Sequence, residues 1–289
     1  LNGGTGLWQV KILTFASLFE KNDFLTMLLN YITWNANPEI FAVGSFSLRW
    51  YGLLFASGFL IGLYMVRQMY RAEGAPEKWL DSAFIHIVLG AVIGARLGHV
   101  FFYDWAYYSD HLVEIPMTWH GGLASHGGAF GIFLALWLFS RNVSRKPMVW
   151  MLDKVAVPTA LAGFFIRLGN LMNSEILGKP ADVPWAFLFV REGDGVPRHP
   201  AQLYESLAYL LIFFILYVVY WKTEKRNKPG FVFGAFMVLV WGVRFLLEYF
   251  KESQGGFESA LGQTLSTGQW LSLPFVLIGA YFMFRPTSK

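Results

Sequence analysis

The sequence predicts an all-α, polytopic membrane protein, a bundle of about seven transmembrane helices, and three features carry that prediction. Of 289 residues, 55% are apolar and 15% charged, with a mean hydropathy of +0.43; ordinary soluble domains carry about 25% charged residues. A globule of this size could not hide so much apolar side chain. Several stretches reach the roughly 20 residues needed to cross a bilayer, and the 18% aromatic content suits rings placed at the membrane interface. The same arithmetic excludes disorder, collagen, a coiled coil and a disulfide scaffold. With no cysteine, the chain has no thiolate metal site and no cysteine nucleophile of its own. A net charge of +4 spread over the whole length gives no reason to expect nucleic acid as a partner.

The predicted spans are Leu48–Met69, Ala83–Tyr103, Leu123–Ser140, Val149–Leu171, Gln202–Trp221, Gly230–Phe250 and Gly268–Phe284. The fourth is the least apolar, because it begins with Asp153 and Lys154 and contains Arg167. Alternate connections differ in charge: four of them hold 12 Lys and Arg, the other four hold 4. By the positive-inside rule this puts the C-terminus in the cytoplasm and the N-terminus outside. Residues 1–37 read as an N-terminal extension, of which 1–26 form an upstream or amphipathic surface segment with no assigned role. Residues 38–289 read as one integral-membrane domain.

Five cations fall within or at the ends of the spans: Arg49, Arg96, Lys154, Arg167 and Arg244. A cation at the bilayer centre costs at least ~2.5–3.5 kcal/mol on the insertion scale. Arg49 and Lys154 are expected to snorkel to the interface. Arg96, Arg167 and Arg244 lie inside apolar runs and need anionic partners. Glu248 follows Arg244 by four residues, on the same helix face, and Glu205 stands near the start of span five. The cations outnumber these acids. The surplus points to an anionic ligand in a cavity, and the planar fork of arginine matches phosphate through paired hydrogen bonds. An internal charge-pair scaffold is the competing reading.

Two further segments carry polar chemistry. Trp119–Gly131 leads into span three with His120-Gly-Gly and His126-Gly-Gly. Its glycines suit either a close ligand approach at a helix N-terminus or tight helix packing through small residues, and its imidazoles can exchange a proton near neutral pH. The histidines lack an HExxH pattern and a third ligand, so no metal is expected. In the second segment, Arg167, Asn170 and Asn173 fall at i, i+3 and i+6, with Glu175 just beyond. One helix face then offers a cation, two amides and a carboxylate.

Together these segments resemble the bacterial prolipoprotein diacylglyceryl transferase family. The residues that carry the resemblance are Arg49-Trp-Tyr-Gly52, Gly94-Ala-Arg-Leu-Gly98, Ser125-His-Gly-Gly128, Arg167-Leu-Gly-Asn-Leu-Met-Asn-Ser-Glu-Ile-Leu-Gly178, Arg198-His-Pro-Ala-Gln-Leu-Tyr-Glu205 and Arg244-Phe-Leu-Leu-Glu248. They run in the family's order over about residues 38–285. Ile166 and Leu171 stand where the family usually has Gly and Phe, Val240 where a Tyr is expected, and His120 where an acid is common.

The resemblance implies transfer of a diacylglyceryl group from phosphatidylglycerol to the lipobox cysteine in the signal peptide of a preprolipoprotein, forming a thioether and releasing glycerol phosphate. It implies an inner-membrane enzyme with its site toward the outer face, and no cofactor. His126 would be the base, while Arg167 and Arg244 would hold phosphate and stabilise the leaving group. Asn170 and Glu175 would position, Glu248 would orient Arg244, and Tyr51 and Arg96 would contact the lipid. A polytopic anion or lipid transporter is the alternative, although paired halves of the kind transporters usually show are not visible. A CDP-alcohol-type synthase would need clustered aspartates for Mg²⁺, and an intramembrane protease a Ser–His or paired-Asp arrangement.

Overall fold

A computed structural model describes residues 31–44, 46–252 and 265–286; the segment 1–26 read from the sequence as an extension lies outside the described residues. Its seven principal helices are α1 (Trp50–Ala72), α2 (Lys78–Phe102), α3 (Ser125–Phe139), α4 (Met148–Asn173), α5 (Ala201–Lys222), α6 (Phe231–Leu247) and α7 (Thr267–Phe284). Each falls on a predicted span. Six are long and apolar enough to cross a membrane. The exception is α3, whose 15 residues reach about 22 Å at 1.5 Å per residue, less than the ~30 Å hydrocarbon core. Large apolar side chains face outward along the bundle, with Leu60 69% exposed and Leu277 71% exposed, as a lipid-facing surface requires.

Neighbouring helices pack antiparallel at close range. Gly58 and Gly62 of α1 meet Ala162 and Pro158 of α4. Gly90, Gly94 and Gly98 of α2 face Gly127 and Gly131 of α3 so closely that a Cβ on Gly131 would overlap the carbonyl of Gly90. Gly127, Gly128 and Gly131 of the Trp119–Gly131 segment therefore serve helix packing, the small-residue mode in which backbones touch. One buried cluster joins α1, α4, α5 and α6 around Met69, Val157, Leu216 and Val232. A second joins α1 to α4 around Tyr70, Leu136, Phe139 and Met151.

The charges at the start of span four are absorbed at one end of the bundle. Asp153 accepts hydrogen bonds from the backbone N–H of Gly230 at 2.6 Å and Phe233 at 2.9 Å, so a side chain of α4 caps the N-terminus of α6. Lys154 corrects the expectation of snorkelling. Its side chain is 2% exposed and pairs with Glu73 at 2.8 Å, and its Nζ lies 3.8 Å from the Trp150 ring centroid. Glu73 also accepts from Tyr220 Oη at 2.6 Å and Trp150 Nε1 at 2.7 Å. The ammonium is satisfied inside the protein and has no need to reach water. Arg49, by contrast, is 61% exposed and pairs with Glu39 at 3.3 Å.

At the other end lies a small β head that the apolar periodicity did not announce. Strand β1 (Ile32–Trp34) pairs parallel with β4 (Phe187–Phe189), which pairs antiparallel with β5 (Pro197–Arg198). Strands β2 (Glu39–Val43) and β3 (Phe46–Arg49) form a hairpin leading into α1. Trp34 donates its Nε1 to Leu171 O at 2.9 Å, and Leu171, Phe187 and Phe189 make a third buried cluster beneath the sheet. The head thus sits directly over the C-terminal end of α4.

Candidate active site

Helix α4 ends on Asn173, and Ser174 turns left-handed at φ 57°, ψ 40°. Ile176 follows at φ 58°. Positive φ in a β-branched residue is rare and costs about 1–3 kcal/mol that the surroundings must supply. The reversal carries Glu175 back over the helix end. Its carboxylate accepts from Asn170 Nδ2 and Asn173 Nδ2, each at 3.1 Å, and its backbone carbonyl accepts from Gln202 Nε2 at 2.5 Å. Gln202 is fully buried. Gly178 closes the segment where only hydrogen fits, since a Cβ there would overlap His199 O.

Arg167 stands nearly two turns before that end. Its Nε lies 2.9 Å from Glu205 Oε2 and its Nη1 3.4 Å from Asn170 Oδ1. Arg167, Asn170 and Glu175 are therefore linked as the i, i+3 pattern predicted. Glu205, in the first turns of α5, is completely buried and also reaches Lys251 Nζ at 3.4 Å. Tyr209, one turn further along α5, stands within electrostatic range of both Arg167 and Arg244 and packs its ring on Gly163. Tyr51, in the first turn of α1, lies against Gly169, between Arg167 and Asn170 on α4.

Arg244 differs from Arg167 in having no carboxylate partner among the described residues. Its guanidinium carbon lies 5.4 Å over the Trp241 ring, and its buried Nε has no hydrogen-bond partner. Glu248, expected to orient Arg244, makes no ion pair with it among the described residues, although its backbone N–H still closes the helical hydrogen bond to Arg244 O. Its carboxylate sits against Gly268 of α7 and 3.8 Å from Lys251 Nζ.

Arg96 is occupied elsewhere. It is 3% exposed and donates from Nε to Ile115 O at 2.7 Å, from Nη1 to Gly121 O at 2.7 Å and Gly122 O at 3.3 Å, and from Nη2 to Glu114 O at 2.8 Å. Tyr108 stacks 4.9 Å from the guanidinium. Its work is to fasten the loop between α2 and α3, not to offer a free fork to a lipid. His126, in the first turn of α3, is exposed and lines an apolar groove of 1030 Å³ between α2 and α3 with Gly98, Phe102 and Tyr103. Among the described residues no hydrogen bond joins it to the arginines.

The head adds a second polar layer. Arg198 pairs with Asp194 at 2.6 Å and with Glu252, and its hydrogen bond holds the Asp194 carboxyl below the usual carboxylate range. His199 Nδ1 lies 3.1 Å from Tyr204 Oη. Burial lowers the imidazole's pKa. A polar pocket of 360 Å³ opens beside Glu175, lined by Asn37, Glu39, Arg49, Asn173 and Arg191. Among the described residues no group of three or more His, Cys, Asp or Glu is placed to hold a metal ion.

Three buried participants, Gln202, Lys251 and Tyr209, had no role in the sequence reading, and Glu205 figured there only as a candidate counter-charge. Glu205 and Gln202 belong to the Arg-His-Pro-Ala-Gln-Leu-Tyr-Glu string, which was the available signal. Lys251 looked like an ordinary loop cation, and Tyr209 an ordinary apolar-face aromatic. One feature unites the region. All buried side-chain polar atoms that lack a hydrogen-bond partner among the described residues lie at this end: Asn173 Oδ1, Ser174 Oγ, Arg198 Nε, Gln202 Oε1, Glu205 Oε2 (held only as an ion pair), Arg244 Nε and Glu248 Oε2. Native interiors satisfy nearly all such atoms, so a cluster of unsatisfied ones marks a place prepared for a polar ligand.

The family model described as prolipoprotein diacylglyceryl transferase matches residues 38–285, which contain every residue of the cluster. Proteins named phosphatidylglycerol–prolipoprotein diacylglyceryl transferase are 47% identical over 250 residues in Tolumonas auensis, covering 86% of this chain and 95% of that protein. The protein of that name in Chloroherpeton thalassium is 46% identical over 260 residues, covering 90% and 96%. In Porphyromonas gingivalis identity is 43% over 267 residues, covering 88% and 94%. The chain belongs to the prolipoprotein diacylglyceryl transferase family.

Proposed function

We propose that this protein transfers the diacylglyceryl group of phosphatidylglycerol to the lipobox cysteine in the signal peptide of a preprolipoprotein. The observation that carries the reading is the buried, incompletely satisfied polar cluster around Arg167, Glu205 and Arg244 in a wall of apolar helices. The peptide's sulfur attacks the glycerol carbon that bears the phosphate. The carbon–sulfur bond forms as the carbon–oxygen bond breaks, the oxygen keeps the electron pair, and glycerol phosphate leaves. A thiol of pKa ~8.5 needs a base to react well at neutral pH, and His126 takes its proton in this reading.

Arg167 and Arg244 receive the phosphate and the charge that grows on it, the kind of stabilisation that dominates many enzymes. Arg167 is aimed by Glu205 and Asn170, while Arg244 keeps an uncommitted Nε for the ligand. Asn170 and Glu175 fix the helix end, Glu248 and Lys251 complete the buried charge network, and Tyr51 lines the lipid side. The enzyme works in the bacterial cytoplasmic membrane with this end outward, as the 12 to 4 distribution of loop Lys and Arg supports.

Two experiments test the reading. Reporter fusions after Lys228 and Phe257 should read cytoplasmic and external; the reverse would overturn the orientation. Membranes containing the protein, given phosphatidylglycerol radiolabelled in its acyl chains, should move label onto a lipobox peptide. A transporter would redistribute the lipid between leaflets and leave the peptide unlabelled.

A further inference from the structure

Helix α3 ends, at the pole opposite the candidate active site, in an unusual way. It passes into a π turn at Ser140–Ser144, a geometry found mostly as single turns and often at functional sites. Arg145 then adopts φ 52°, ψ 15°, a left-handed conformation that long side chains seldom take. The turn is locked from within. Ser140 and Ser144 are buried; Ser140 Oγ donates to Lys146 O at 2.5 Å, and Ser144 Oγ accepts from Lys146 N at 3.3 Å.

Locking the backbone turns three cations outward together. Arg141, Arg145 and Lys146 are exposed, and with Trp137, Ser140 and Pro147 they line a shallow, open depression of 510 Å³ that no carboxylate enters. Among the described residues none of the three is in an ion pair. Cations that merely solvate a loop need neither a fixed cradle nor a strained residue to converge them. The wall facing the bilayer is apolar: Trp137 is 42% exposed and lies under the Arg141 guanidinium at 5.5 Å. Leu134 and Leu138, on the same helix face, are 45% and 38% exposed and continue into the apolar groove between α2 and α3.

We propose that this pocket binds the phosphate of an anionic phospholipid, with its glycerol backbone against Trp137 and an acyl chain along Leu134 and Leu138. Basic pockets at helix ends suit such headgroups, and the apolar wall favours a lipid over a soluble phosphate. The phosphate pocket lies at the opposite pole from Arg167 and Arg244, only its acyl-chain wall continues into the groove that His126 also lines, and the proposal does not rest on the proposed reaction.

The test uses the purified full chain in nanodiscs and spin-labelled phosphatidylserine, an anionic lipid other than the proposed substrate, with spin-labelled phosphatidylcholine as the neutral reference. The wild type should prefer phosphatidylserine, and millimolar inorganic phosphate should not displace it. Replacing Arg141→Gln, Arg145→Asn (a residue that tolerates the left-handed turn) and Lys146→Gln together should lower that preference by about a hundredfold, roughly fivefold for each charge near a membrane surface. W137A should weaken it while leaving all three charges. Should the triple variant not fold, the wild-type preference must still fall steeply between low and high salt. An unchanged preference in a folded triple variant, or a salt-insensitive wild type, overturns the proposal. Displacement by inorganic phosphate overturns the lipid and leaves a soluble-anion site.

Discussion

Replacing Glu205 with Gln keeps its size and removes one buried charge from between two cations. Arg167 Nε lies 2.9 Å from one carboxylate oxygen and Lys251 Nζ 3.4 Å from the other. At an effective dielectric constant of about 20, charges at such distances attract by about 5–6 kcal/mol per pair. The burial cost of the carboxylate disappears with the charge, and removing one partner of a buried pair typically destabilises by about 3–5 kcal/mol net. For a chain of this size that corresponds to a fall on the order of 10 °C in the unfolding midpoint, measured on the purified protein in detergent. A double-mutant cycle isolates the cause. Adding Lys251→Met to Glu205→Gln removes a cation that keeps only Glu248, at 3.8 Å, so the double variant should lose less than the sum of the two single losses, with a coupling of about 1–3 kcal/mol. A double variant whose losses simply add would show that Glu205 and Lys251 do not interact as described.

Other outcomes follow from the same geometry. Arg167→Lys and Arg244→Lys keep the charge but lose the planar fork, so transfer by either purified variant should fall tenfold or more, about 1.4 kcal/mol; near-normal turnover in both would make them structural cations. His126→Gln should bind phosphatidylglycerol almost normally yet transfer ~10²-fold more slowly at pH 7. It should recover part of the rate as pH rises toward the thiol pKa of ~8.5, because the substrate then ionises unaided; normal transfer at pH 7 would remove His126 as the base. Gly131→Ala places a methyl on the carbonyl of Gly90 and should cost about 1–3 kcal/mol by overpacking, read as a lower unfolding midpoint; no change would mean that α2 and α3 are not in backbone contact.

Hydropathy revealed the helices because a lipid-facing helix must be apolar along its length, and all seven predicted spans hold one. The helix in the third span, α3, has 15 residues and starts at Ser125, two residues inside the predicted start. The β head was silent because strands of two to five residues leave no period to detect. Helical spacing did reveal that Arg167, Asn170 and Glu175 act together. It does not show that the Glu248 carboxylate sits against Gly268 rather than on Arg244, nor that the partners of Arg96 are loop carbonyls, which no spacing rule can name. The pairing of Glu205 with Arg167 and Lys251 was hidden for a related reason: each lies far in sequence from its partner, and only the packing of α4, α5 and the end of α6 brings the three charges together.

The most direct measurement is on the purified chain with phosphatidylglycerol and two synthetic lipobox peptides, one carrying the cysteine and one with serine in its place. The account predicts one glycerol phosphate released for each cysteine peptide converted to a thioether, and neither product with the serine peptide. Glycerol phosphate released equally with both peptides, or lipid attached without its release, would contradict displacement at the glycerol carbon by the peptide's thiol.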